Sequence, residues 1–463
     1  MFNSTFLKLN KTPLLMALTS VLFYASFAYD LVRTDYTKLF TLYIALFFLF
    51  YKLIQVNKDN FKFLVVLAII FRVVFLFAIP NLSQDFYRFI WDGRMIIQGF
   101  NPYLYTPESF ININIFPIAQ AQELYNGMGE LNGSHFTNYP PIKQLVFMIA
   151  ALLSGKSIIG SAIVFRIFIL AADIGTLYFG KKLLERLNLP THNIFWYLLN
   201  PLIIIELSGN LHFEGIMIFF LVWSLYLFHS GKWKWAAIVF ALSISVKLIP
   251  LLFLPLFFKY FIQHRFTKSD VATSKTLRNG IINLIGFYAI VVITTLLLFT
   301  PFFSSEFINN YTKTVALWFS DFEFNASIYY IARSIGYAIT GYNEIAIIGK
   351  FIPLITIISV LGFTFLRKNN GVQQLIISML FVTTLYYFTS TTIHPWYITT
   401  LVFLSVFTNY KFPIVWSIML IISYFAYANN YNENLWLIAI EYAVVFSVFI
   451  YEVFIVPREQ KTV

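Results

Sequence analysis

Apolar runs of about twenty residues, each long enough to cross some 30 Å of hydrocarbon as a helix, recur from one end of this 463-residue chain to the other. Hydrophobic residues make up 59% of the sequence and charged ones 11%, with a mean hydropathy of +0.74. No soluble domain of this length could cover its surface from that supply. Lipid is therefore the expected solvent, and a backbone in lipid must satisfy itself within helices or a closed barrel. The runs are continuous rather than alternating, which selects helices.

The expected spans are residues 13–29, 39–56, 61–79, 158–180, 194–208, 211–229, 281–300, 347–366, 372–389, 397–407, 413–427 and 435–456. Residues 142–154 and 328–339 are short for a crossing and read as half-helices or re-entrant pieces, tolerated where protein or a wet cavity satisfies the backbone. The segment 235–258 has basic residues at both ends and reads as a hairpin, turning near Lys247 and Pro250. The fold class is an all-α polytopic integral membrane protein of about 12 to 14 crossings by length and charge counting. Residues 1–463 form a single transmembrane domain, with residues 80–141 as a large first external loop. No internal repeat is visible.

The net charge of +11 arises largely from Lys and Arg in short loops, as the positive-inside rule requires. Lys52, Lys58, Lys62, Lys181, Lys182, Arg186, Lys232, Lys234, Lys259, Arg265, Lys268, Arg367, Lys368, Lys411, Arg458 and Lys461 mark the cytoplasmic side and place both termini there. That distribution argues against nucleic acid as a partner. Lys8 and Lys11 before an apolar run resemble a signal peptide, but no small-residue cleavage site follows, so an uncleaved first helix is expected. Cysteine is absent, which removes disulfides and thiolate chemistry together.

This topology sends the unusual polar clusters to the non-cytoplasmic side. In the run Ser83-Gln84-Asp85-Phe86-Tyr87-Arg88, followed by Trp91-Asp92-Gly93-Arg94, a helix would bring Asp85, Arg88 and Asp92 to one face. A carboxylate held there could serve as a general base; the alternative is an Asp–Arg pair serving solubility. Tyr139 and Gln144 flank the double proline where the loop re-enters. Glu206, Asn210, His212 and Glu214 surround a short polar turn between two spans, where ionisable groups are functional candidates by default. A Glu206–His212 or Glu214–Arg pair tying helices together is the structural alternative. Lys247 could neutralise a lipid phosphate or bond carbonyls freed by the turn. Asn325 opens the second half-helix, and His394, Trp396 and Tyr397 offer imidazole, indole and phenol together. Metal-ligand spacings, GxGxxG and P-loop patterns are all absent from the sequence, so neither a metal nor a cofactor is expected.

In order along the chain, SQDFYRFIWDGR, GFNPY, NYPPIKQ, NPLIIIELSGNLHFEG, SVKLIPLLFLP, FNASIYY and HPWY resemble the GT-C superfamily of membrane glycosyltransferases. The nearest likeness is to bacterial polyprenyl-phosphate-mannose-dependent mannosyltransferases, and a more distant one is to the GPI mannosyltransferase I catalytic subunit. The resemblance runs from about Arg72 to Tyr397. It implies a GT-C-like helical bundle and a carboxylate in the first external loop as the base, which by motif match is Asp85. The common pattern has two acidic residues there, whereas this chain has Gln84 before Asp85. It further implies a polyprenyl-phosphate sugar donor, mannose above other sugars, and a lipid or glycan acceptor reached by inverting displacement. Lys247, His394 and Arg88 would meet the leaving phosphate. Trp396, Tyr397 and Tyr139 would line the sugar or lipid path, and Asn210, His212, Glu214 and Asn325 would read hydroxyls. A bacterial cytoplasmic membrane with the site facing the periplasm is expected, an endoplasmic-reticulum membrane facing the lumen being the alternative. A transporter or flippase would spread charge through both sides of the bundle. A glycan polymerase or ligase would place its large loop late in the chain.

Overall fold

The computed structural model describes residues 11–263 and 274–456. Lys8, Arg265, Lys268, Arg458 and Lys461 lie outside them, and with them the charges flanking both termini. The described chain is helical, its β pairing confined to one isolated bridge between Phe324 and Thr392. Among the described residues seven helices are long and apolar enough to cross a membrane: Lys11–Tyr29, Tyr36–Asn57, Ile158–Arg186, Leu277–Phe302, Ile345–Phe365, Val372–Thr389 and Leu435–Ile455. The pair Pro201–Gly209 and Glu214–His229 makes an eighth if the two count as one span bent by 114°. The chain is an integral membrane protein of all-α, polytopic architecture.

The expected crossings beyond these eight resolve into shorter pieces for visible reasons. The run 61–79 is helical only over Phe61–Val73, and the chain then turns toward Pro80. The run 413–427 begins as helix Phe412–Met419, tightens to a 3-10 turn at Leu420–Tyr424 and resumes over Phe425–Ala428. Only Ile398–Ser405 of the run 397–407 is α-helical. The expected hairpin is helix Trp233–Ile244 followed by the 3-10 stretch Ile249–Leu256, with Lys247 in the turn and Pro250 and Pro255 keeping the return strand of the hairpin out of α geometry. The two half-helices occur as Pro141–Ser154 and Ile328–Thr340.

Side chains set the helix starts. Asp35, Asn60, Ser157 and Asn434 each accept hydrogen bonds from the first free N–H groups of the helices they precede. Asn200 does the same for Pro201–Ile203, with proline at the first helical position.

The loop 80–141 is a folded layer. Its helix Asp85–Ile97 packs on helix Pro141–Ser154 so closely that a methyl added at Gly93 would stand 2.2 Å from the Phe147 carbonyl oxygen. Phe89 stacks on Phe147 at 4.8 Å, and both meet the ring of Phe213 edge-on at 5.5 and 5.3 Å. This aromatic knot fixes the loop helix over the bend of the broken span.

Candidate active site

The loop helix carries two aspartates with opposite surroundings. Asp92 is fully buried: Arg88 Nε donates to Oδ1 at 2.8 Å, and Gln144 Nε2 donates to Oδ2 at 3.0 Å. Arg88 also donates from Nη1 to the carbonyls of Asn132, at 2.6 Å, and His135, at 2.9 Å. Arg88, Asp92 and Gln144 therefore bond one another and staple the loop. Asp85, the first residue of the same helix, is partly exposed and accepts from Asn132 Nδ2 at 3.3 Å. Burial raises its pKa above the ordinary aspartate value, while the Asn132 hydrogen bond and the charges of Lys143 and Lys247 pull it down and Glu214 pushes it up. The same balance places Asp85 within electrostatic range of both lysines.

Below it, the break in the bent span holds Glu206, Asn210, His212 and Glu214, all buried. Asn210 Nδ2 donates to Glu206 Oε2 at 3.1 Å, and the Tyr424 hydroxyl donates to Glu206 Oε1. His212 Nε2 stands 3.5 Å from Glu206 Oε2, an ion-pair separation rather than a hydrogen bond. The expected Glu206–His212 contact is present, whereas the partner of Glu214 is Lys247, not an arginine. Leu211, buried within the break, has φ +65°. A non-glycine residue in that region is a costly conformation held by its surroundings.

The third side is a column of rings. Phe324 stacks on His394 (centroids 5.2 Å apart), His394 on Trp396 (4.5 Å, planes within 8°) and Trp396 on His212 (3.7 Å). Both faces of Trp396 are covered, so it can offer a ligand only its edge. Tyr397 meets His394 edge-on at 5.5 Å and carries the Lys247 ammonium 4.2 Å over its ring. A backbone pair fixes this column: Phe324 N–H donates to Thr391 O at 3.1 Å, and Ile393 N–H to Phe324 O at 2.7 Å. Asn325, with φ +47°, turns away from the rings. Its side chain donates to Glu441 Oε1 at 3.1 Å and its backbone N–H to Glu433 Oε1 at 2.6 Å.

The candidates Asp85, Tyr139, His212, Glu214, Lys247, His394, Trp396 and Tyr397 thus converge. Arg88, Asp92, Gln144 and Asn325 are bonded into the frame around them, and Asn210 braces Glu206. Sequence reasoning passed over Asn132, Lys143, Tyr424, Glu433 and Glu441. Lys143 carried a signal: a lysine three residues into a helix that follows a double proline, in an otherwise apolar run. Glu441 carried one too, as a carboxylate in the middle of a span. Among the described residues, no three His, Asp or Glu side chains group closely enough to hold a metal ion.

Residues 11–263 match the family model described as alpha-(1->6)-mannopyranosyltransferase, N-terminal domain, and residues 207–456 match the one described as mannosyltransferase (PIG-M). The two overlap across the broken span and the hairpin that carries Lys247. Over 198 residues the chain is 21% identical to alpha-(1->6)-mannopyranosyltransferase A of Mycobacterium tuberculosis, a stretch covering 42% of this chain and 36% of that protein. The chain therefore spans about a third of the length of the curated relative it matches. With each model covering more than half of its length, the chain belongs to the GT-C mannosyltransferases, in the group that these alpha-(1->6)-mannopyranosyltransferase and PIG-M families form.

Proposed function

We propose that the protein transfers mannose from a polyprenyl-phosphate-mannose donor to a hydroxyl of a lipid or glycan acceptor, at the non-cytoplasmic face of the membrane, with Asp85 as general base. The observation that carries the reading is the contrast on one helix: Asp92 is bonded by Arg88 and Gln144, while Asp85 has one long hydrogen bond and partial exposure. A carboxylate with lone pairs to spare, its pKa raised by burial, is suited to accept a proton.

In the step that follows, Asp85 takes the acceptor hydroxyl proton as the acceptor oxygen bonds to the anomeric carbon. The bond from that carbon to the phosphate oxygen breaks, and the electron pair leaves with polyprenyl phosphate. A stable anion departs, so the step needs no strong acid. It needs cations placed where negative charge grows, because field matched to the transition state is what lowers the barrier. One displacement inverts the anomeric centre, so a β-linked donor gives an α-mannoside, in agreement with the linkage in the name of the matched family. Tyr397, the edge of Trp396 and Tyr139 form apolar and aromatic walls suited to a sugar face and an isoprenoid chain. The charge pattern of the loops supports this site on the non-cytoplasmic face with both termini inside, and the likeness to bacterial mannosyltransferases supports a bacterial cytoplasmic membrane with the site toward the periplasm.

The test is transfer of labelled mannose from synthetic polyprenyl-phosphate-mannose in membranes holding the wild type, Asp85→Asn or no protein. Transfer by the wild type that drops to background with Asp85→Asn supports donor and base together. Undiminished transfer by Asp85→Asn would remove Asp85 as the base.

A further inference from the structure

We infer that Lys143 is the residue that receives the phosphate of the lipid-linked donor, a reading that rests on the proposed function and deepens it. Lys143 lies in the first turn of helix Pro141–Ser154 and is 6% exposed. Among the described residues its ammonium makes no hydrogen bond or ion pair. Its neighbours are the ring of Tyr139 at 4.9 Å and that of Phe213 at 5.8 Å. Two aromatic faces attract a cation but return only part of the hydration that burial removes.

Its position on the helix sharpens the imbalance. The first turn of a helix carries the positive end of the backbone dipole, which repels a cation and attracts an anion. Nearby carboxylates do not relieve it: Glu214, the carboxylate acting most strongly on Lys143, bonds Lys247 instead. Lys247 is thereby partly neutralised, which ranks it below Lys143 as a partner for phosphate. The Ile142 N–H donates to Ser245 O at 3.0 Å, joining this helix start to the turn that bears Lys247. In that turn the Ser245 hydroxyl is buried and, among the described residues, has no hydrogen-bond partner. A buried lysine without an ion pair, the positive end of a helix dipole and an unpartnered hydroxyl lie on adjoining segments, and an anion is the ligand that suits all three.

Asp85 is the other carboxylate in electrostatic range of Lys143. The proton acceptor and the phosphate cation are thereby set within electrostatic reach of each other. The donor is a phosphodiester with one negative charge, and cleavage of its sugar–oxygen bond adds a second. A fixed cation binds the product phosphate more tightly than the donor and so favours the transition state.

The experiment uses the full chain in lipid nanodiscs and two probes, a synthetic polyprenyl phosphate and the polyprenol of equal length. The wild type should prefer the phosphate. Lys143→Met, which keeps the length and apolar stem, should lose that preference tenfold or more while holding polyprenol as before, and Lys143→Arg should keep most of it. Lys143→Gln carries the same expectation as Met and decides the matter if the Met variant does not fold. Retained phosphate preference in the Met or Gln variant overturns the assignment of Lys143, and does so alone if the wild type transfers mannose. A wild type that neither prefers phosphate nor transfers mannose overturns the functional reading and this one with it.

Discussion

Asp85 and Asp92 stand two turns apart on one helix, and the chain treats them as different materials. Asp92 meets Arg88 and Gln144 in a dry pocket, with both carboxylate oxygens bonded. Asp85 meets one asparagine at 3.3 Å and lies within electrostatic range of two lysines. Residue type alone does not mark function in a membrane protein, because burying a charge forces it to find a partner. Bonding capacity left over at the edge of an opening is the better mark. The same test separates Arg72, bonded to Asp173 at 2.6 Å inside the bundle, from Lys143.

The comparison breaks first, and by the largest margin, at Asp85. Asp85→Asn should lower transfer by roughly 10²–10⁴-fold, the usual contribution of general-base catalysis, with folded yield unchanged. A comparable loss of folded protein would put Asp85 in the frame with Asp92. Arg88→Met should do the reverse, costing about 3–5 kcal/mol of stability by stranding a buried carboxylate. Thermal unfolding in detergent measures it, and adding Asp92→Leu to Arg88→Met should recover part of the loss. If the single and double variants unfold alike, the pair is not a unit. Gly93→Ala tests the floor under both aspartates: its methyl meets the Phe147 carbonyl at 2.2 Å. The expected cost is about 1–3 kcal/mol, typical of overpacking, and unchanged unfolding would mean that the two helices can part freely.

The smallest effect sharpens the picture rather than breaking it. Asp85 must be ionised to take a proton, and burial raises its pKa while the Asn132 hydrogen bond lowers it. Transfer should therefore fall, as pH drops, at a higher pH than an exposed aspartate would give. Asn132→Ala removes a lowering influence, so the acid limb of the pH–rate profile should move further up. A downward move would contradict the assignment of Asp85 as the group that titrates.

Much of this was legible in the chain beforehand. Hydropathy and proline spacing gave the long helices, the loop 80–141, the hairpin at Lys247 and both half-helices. The order of polar motifs singled out Asp85 and the HPWY segment, both of which the fold sets near Lys247. Crossing number was less legible, because apolar runs such as 61–79 and 413–427 carry no mark of where helix gives way to turn. Bonding partners were less legible still. Arg88 was expected to face phosphate and instead holds Asn132 and His135, residues of the same loop more than forty positions along. Asn325 was expected to face sugar and instead bonds Glu441, 116 positions away. Such pairings depend on which helices become neighbours, and local sequence does not carry that information.

The bridge between Phe324 and Thr392 has a consequence for chain length. Two hydrogen bonds, from Phe324 N–H to Thr391 O and from Ile393 N–H to Phe324 O, fix one register between segments about seventy residues apart. In a paired extended segment, a slip of one residue sends every following side chain to the opposite face. One residue added or deleted between Ser390 and Ile393 would thus swing the imidazole of His394 out of the column and cost Trp396 one of its two stacking partners. The turn at 340–344, which joins two helices, is tied instead by side chains, with Asn343 Nδ2 donating to Glu323 Oε1 at 2.7 Å. Length is therefore locked by backbone pairing at the turn that holds the aromatic wall, and held by side-chain bonds at the other.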